Sequence, residues 1–133
     1  MSKNHFQFTI AFATNGGDVI DGHFGSCTQF DIYRFDVDSI LFVESRTAKS
    51  VEGIEKNGVR ADQLSDCDLL FVASIGGPAA AKVIRHGIHP LKDTQLTPVY
   101  DALKRLQNVL ATNPPPWMAK RMGLRPSAIL EAG

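Results

Sequence analysis

The chain has 133 residues, 44% of them hydrophobic and 21% charged, with a formal net charge of zero. That size and apolar fraction predict one domain with a true core and exclude a disordered chain. Charge balance argues against nucleic acid or a membrane surface as partner, and no apolar run approaches the roughly 20 residues that cross a bilayer, so a cytoplasmic protein is expected.

Phe6, Phe8, Ile10 and Phe12 alternate with Gln7, Thr9, Ala11 and Ala13, the period of two that marks a strand. Asn15-Gly16-Gly17 ends it, and residues 15–27 read as an exposed loop rich in Gly and Asp. Phe30, Ile32, Tyr33 and Phe35 predict a second strand, and Ile40 to Arg46 a third. Their short connection, Asp36 to Ser39, makes them an antiparallel hairpin. Lys49 to Gly58 reads as a loop and Val59 to Ser65 as a short helix. Asp68 to Ser74 is a continuous apolar run of the kind buried on both faces in a parallel sheet.

Gly76-Gly77-Pro78 opens the next helix, which Gly87 stops. Ile88 to Leu91 predicts a short strand, and Pro90 places it at an edge. Thr97-Pro98 caps the last long helix, whose Val99, Leu103, Leu106 and Leu110 share one face. It ends near Thr112, because Asn113-Pro114-Pro115-Pro116-Trp117 cannot continue it. The expected organisation is a single core domain over residues 1–112 and a Pro-rich C-terminal extension over 113–133. The fold class is α/β: a mixed sheet, hairpin plus parallel strands, covered by helices. Its order resembles the ribonuclease-H-like arrangement, with strand one central.

If strand one and the Asp68–Ser74 strand are parallel, their carboxyl ends meet at a topological switch point, where such sheets leave a ligand crevice. The loop containing His23 and the Gly76-Gly77 turn converge there. The turn would offer backbone N–H groups at a helix N-terminus, which favour anions, although a tight turn alone would need the same glycines. The chain has neither the third glycine of a dinucleotide fingerprint nor the Lys-Ser/Thr of a P-loop. His23, between Gly22 and Phe24-Gly25, is the sharper candidate. A lone histidine is most often simply hydrogen-bonded or solvated, but imidazole is also the commonest metal ligand, and glycine flanks let a bulky ligand approach. Cys27, four positions on, offers a thiolate.

His86 and His89 straddle the helix-ending Gly87. A zinc site built from His23, Cys27, His86 and His89 therefore has weak support, and His86 is expected at the negative end of its helix. His5, ahead of the first strand, reads as solvated. Cys27 and Cys67 form no C-x-x-C motif. Charge is uneven along the chain: residues 1–67 hold six Lys/Arg against ten Asp/Glu, and residues 68–133 hold eight against four. Lys82, Arg85 and Lys92 fall in the basic half, which suits an anionic ligand or an acidic partner. Strand one carries no acid, so the carboxylate cluster of two-metal chemistry is missing, and no nucleophile–base set can be argued. A non-enzyme is expected.

Three stretches, Asp21 to Tyr33 around Gly22-His23-Phe24-Gly25, Ser74 to Lys92 around Ile75-Gly76-Gly77-Pro78, and Pro114 to Met118, resemble the dinitrogenase iron–molybdenum cofactor biosynthesis family. These are nitrogenase accessory proteins of the NifX and NafY type, and the likeness is strongest to the cofactor-binding core of the NafY type. The resemblance implies a ribonuclease-H-like fold and a carrier of the iron–molybdenum cofactor, or a precursor iron–sulfur cluster, working with apo-dinitrogenase and the cofactor-biosynthesis proteins. The family's ligand histidine maps onto His23. The Gly76 and Gly77 amides with Lys82, Arg85 and Lys92 become candidate contacts to an anionic cargo, and Cys27 a candidate second metal ligand. The competing expectation is an interaction module that docks through Pro114 to Trp117 and binds no cofactor.

Overall fold

The computed structural model describes residues 8–49 and 56–121. Strand β1 (Phe8–Thr14) is apolar on both faces, and burial of both faces places it at the centre of a five-stranded sheet. Phe8, Ile10 and Phe12 feed one core cluster, and Ala11 and Ala13 feed the other. β2 (Gln29–Phe35) pairs antiparallel with β1, and β3 (Ile40–Thr47) antiparallel with β2. On the other side β4 (Leu69–Val72), buried throughout, runs parallel to β1, and β5 (His89–Lys92) runs parallel to β4. The order β3-β2-β1-β4-β5 is the mixed arrangement expected, with strand one central and Pro90 on an edge strand.

Helices α1 (Lys56–Asp62) and α2 (Gly77–Arg85) cover one face, where Ala61, Leu64, Ala79 and Val83 meet Ala11, Ala13, Phe30 and Ile32. Helix α3 (Val99–Thr112) covers the other, and its Val99, Leu103, Leu106 and Leu110 meet Phe8, Ile10, Phe12 and Phe35. The outer strand β3 leaves Leu41, Phe42 and Val43 exposed, and a register shift between Ile32 and Tyr33 interrupts its pairing with β2. Such irregularities blunt an open edge against further strands.

Three expectations shift. α1 begins at Lys56 rather than Val59 and runs through Gly58, where an added Cβ would meet nothing within 4 Å. Packing of Ala61 and Leu64 into the core outweighs the poor helix propensity of that glycine. Thr97 does not cap α3; the cap position is Pro98 without a side-chain hydrogen bond, and the Thr97 carbonyl instead accepts the Ile20 N–H at 2.9 Å. The segment after Thr112 does not all leave the domain. The prolines end α3, but Pro116 also opens α4 (Pro116–Arg121), a position that suits its fixed φ. Met118 is 0% exposed within the α3-side core, and the Trp117 indole stacks on the His89 ring at 4.1 Å. Residues 122–133 lie outside the described residues.

His86 terminates α2, as its place in the sequence suggested, and joins that helix to α1. Its Nδ1 lies 2.8 Å from the Lys82 carbonyl and its Nε2 lies 2.7 Å from an Asp62 carboxylate oxygen. Two acceptors face two ring nitrogens, so the protonated ring satisfies both. The Asp62 hydrogen bond, then the Lys82 carbonyl, raise its pKa above the ordinary histidine value.

Met118→Ala should lower stability by about 2–4 kcal/mol in urea unfolding, because it opens a cavity in a closed core. A raised folded-state pKa means that the His86 contribution is fully present below the ordinary value near 6.5 and is lost as pH rises through the folded value. Thermal midpoints measured against pH should show that loss, and Asp62→Asn should flatten it.

Candidate ligand site

The chain leaves β1 at Thr14 and folds tightly before it reaches His23. Thr14 Oγ1 donates to the Val19 carbonyl at 2.8 Å and accepts the Gly17 N–H at 2.9 Å, while the Asn15 N–H donates to the Asp21 carboxylate at 2.9 Å. Ile20 and Asp18 are pinned to the start of α3: the Ile20 N–H donates to the Thr97 carbonyl, and the Asp18 carbonyl accepts the Val99 N–H. The loop then crosses the sheet edge from the α3 side to the α1–α2 side. At the crossing the Gly22 N–H donates to Ala13 at 3.0 Å, the Gly22 carbonyl accepts the Ala73 N–H at 2.8 Å, and the Phe24 N–H donates to Ser74 at 3.0 Å. His23 and Ser74 thereby form a single parallel bridge beyond the end of β4.

Gly22 permits this approach. A Cβ there would stand 2.5 Å from the Ala13 carbonyl carbon and 2.7 Å from its oxygen. Phe24 inserts into the core against Phe30, with ring centroids 5.9 Å apart, so the alternating backbone turns His23 outward. The imidazole is exposed, and its Nδ1 lies 2.5 Å from Ser74 Oγ. When Nδ1–H donates to that hydroxyl, Nε2 of the exposed ring keeps a free lone pair.

Beneath the loop lies a residue that sequence reasoning missed. Residues 23–27 make one turn, with the Ser26 and Cys27 N–H groups both donating to the His23 carbonyl. Arg60, 4% exposed, inserts one guanidinium nitrogen below it and donates to the carbonyls of Phe24 at 3.0 Å and Cys27 at 3.1 Å. It forms no ion pair among the described residues, and its Nε has no hydrogen-bond partner. Nothing in the local sequence distinguishes Arg60 from a solvated arginine on a short helix. Lys56, in the same helix, brings its Nζ within 3.5 Å of where a Gly25 Cβ would stand.

His23 thus shares the sheet edge with the paired glycines, which begin α2 two residues beyond Ser74. Gly76 and Gly77 are exposed, and α2 starts with no side-chain cap and no acid in its first turn. Lys92, at the carboxyl end of β5 and in register with Val72, is exposed on the same edge. Lys82 and Arg85 fall in the last turn of α2, and Arg85 stands about 12 Å along the axis from Gly77 at 1.5 Å per residue.

Cys27 is separated from His23 by the turn itself. It is 2% exposed on the inner side, and burial pushes its thiol pKa up, partly offset by Arg60. The same effect takes the buried Cys67 thiol up to about 12. His86 is held by Asp62, and His89 lies at the opposite end of the parallel strands under Trp117, so the four-ligand zinc set is not assembled. No cluster of three or more His, Cys, Asp or Glu side chains suited to a metal ion occurs among the described residues. His5 lies outside them.

The fold is a small α/β domain that brings His23 and the paired glycines to the carboxyl edge of β1 and β4. The chain belongs to the dinitrogenase iron-molybdenum cofactor family, whose model matches residues 7–109. It is 43% identical over 118 residues to protein NifY of Azotobacter vinelandii, which covers 88% of this chain and 49% of that protein. It is 37% identical to protein NifX of Sinorhizobium fredii, over 84% of this chain and 75% of that one. The chain therefore spans about half the length of the NifY relative. Among solved structures, the apo form of the orange protein from Desulfovibrio gigas shares the fold, with a TM-score of 0.63 at 18% identity over 77% of this chain and 88% of that one.

Arg60→Met leaves two buried carbonyls without their donor. It should cost about 1–3 kcal/mol, with faster amide exchange concentrated in residues 23–28 rather than in the sheet. Unchanged exchange there would remove Arg60 from the loop's support.

Proposed function

We propose that this chain is a non-catalytic carrier for the iron–molybdenum cofactor, or an iron–sulfur precursor of it, that assists delivery to apo-dinitrogenase. The observation that carries the reading is the exposed His23 ring, braced by Ser74 at the sheet edge where α2 begins without a cap. Family membership supports the choice of cargo. In this reading Ser74 Oγ accepts the hydrogen bond from Nδ1–H and Nε2 binds one metal of the cluster. The Gly76 and Gly77 amides and Lys92 contact the anionic periphery, and helix N-termini suit that charge. Lys82 and Arg85, further along α2, add field rather than contact.

A carrier must release what it holds. One imidazole bond with surrounding polar contacts leaves the remaining cluster metals open to the next acceptor. Cys27 stays outside this ligand set, since its protonated thiol lies on the inner side of the turn. The partners in this reading are apo-dinitrogenase and the cofactor-biosynthesis proteins, in the cytoplasm. Docking through a free Pro114 to Trp117 tail has less support, because Trp117 is stacked on His89 and Met118 is buried.

Anaerobic titration with isolated cofactor, followed by optical and paramagnetic resonance spectra, tests the proposal. The wild type should form a complex, and His23→Ala should bind at least tenfold more weakly with an unchanged circular dichroism spectrum. A wild type that forms no complex contradicts the carrier reading, and equal binding by both removes His23 as the anchor.

A further inference from the structure

Between Asp68 and Asp93 the chain carries no acidic residue, and this stretch builds α2 and the edge strand β5. On the outer side of α2, Gly77, Ala81 and Ile84 follow helical spacing and are all exposed, Ile84 by 59%. The stripe ends in a groove of about 440 Å³ lined by Ile84, Gly87, Ile88, His89 and Pro90. Trp117 stacks on His89, one of the lining residues. Arg85 follows Ile84 on α2, Lys82 lies around the far side of that helix, and exposed Lys120 follows Trp117 by about one turn on α4.

None of these three cations forms an ion pair among the described residues. The nearby acids are already engaged. Asp62 is bonded to His86, Asp68 accepts the Thr9 N–H, and the buried Asp93 accepts the Gln95 N–H. An apolar floor with a rim of one sign is a complementary surface for an apolar segment of the opposite sign.

We infer that the groove between α2 and β5 docks an acidic amphipathic segment of a partner protein, with an aliphatic side chain seated against Ile84, Ile88 and Pro90. Carboxylates beside that anchor meet Arg85 and Lys120. The groove lies at the amino end of β5, where His89 pairs with Leu69, whereas His23 bridges Ser74 beyond the far end of β4. The four residues of β4 separate the two places by about 13 Å at 3.3 Å per residue. A partner can therefore sit on the groove without covering His23, and the inference does not rest on the cofactor reading.

The test uses the whole cofactor-free chain, labelled with nitrogen-15, and a synthetic helical peptide with Leu at i, i+4 and i+7 flanked by Glu. Binding should shift the amides of Ile84, Gly87 and Ile88 and the Trp117 indole, and should weaken with added salt. Ile84→Glu, and separately Arg85→Glu with Lys120→Glu, should weaken it at least tenfold, while His23→Ala should leave it unchanged. All these side chains are at least partly exposed, and circular dichroism checks that each variant folds. The inference is overturned if no shifts appear at millimolar peptide, if they appear elsewhere, or if the Ala-for-Leu peptide binds equally. Displacement from the same amides by a short DNA duplex as effectively as by free peptide would also overturn it, since the surface would then be reading charge alone.

Discussion

The close passage of Gly22 across the end of β1 is the contact from which the site follows. Hydrogen bonds from Gly22 to Ala13, from Ala73 to Gly22 and from Phe24 to Ser74 turn a glycine-rich loop into a short extension of the sheet. A side chain at position 22 would collide with the Ala13 backbone, so the crossing exists only with glycine there. Once the crossing is made, the alternation of an extended segment does the rest: Phe24 enters the core and His23 leaves it. The exposed imidazole is thus a product of backbone pairing at the switch point, and its orientation does not depend on any ligand.

The support below the loop has an unusual electrical character. Arg60 is buried without an ion pair among the described residues, which costs desolvation energy, and it recovers part of that through hydrogen bonds to the carbonyls of Phe24 and Cys27. A positive charge is thereby fixed beneath the loop, at a sheet edge that also carries bare helix amides and Lys92. The same brace keeps the Cys27 thiol inside, and burial outweighs the guanidinium in holding it protonated. The loop consequently offers one soft-metal donor to the outside rather than two. The opposite end of the parallel strands is of different character, with Trp117 over His89 and an apolar groove.

Much of this was legible in the sequence because it rests on short-range pattern. The period of two in Phe6 to Ala13, the unbroken apolar run from Leu69 and the Gly76-Gly77-Pro78 turn each determine local structure almost unaided. Strand order then followed from hairpin geometry and the parallel rule, and it brought His23 and the paired glycines to one edge. What escaped was set by tertiary contact. Gly58 disguised the first turn of α1 and with it Lys56, while Arg60, inside the expected helix, carries no local sign of its burial. The prolines disguised α4, whose reason for forming is that Met118 closes the α3-side core. Thr97 looked like a helix cap, but its carbonyl was needed by Ile20. The i, i+4 spacing of His23 and Cys27 suggested a shared ligand set, yet the turn between them places one outside and the other inside.

The central claim is that the His23 imidazole is the direct bond between chain and cluster. Pulsed paramagnetic resonance on anaerobically loaded protein, with histidine labelled by nitrogen-15, addresses it most directly. The account predicts a nitrogen hyperfine coupling from one imidazole that disappears in His23→Ala. Loaded wild type without any such coupling, or a coupling that survives in the variant, would contradict it.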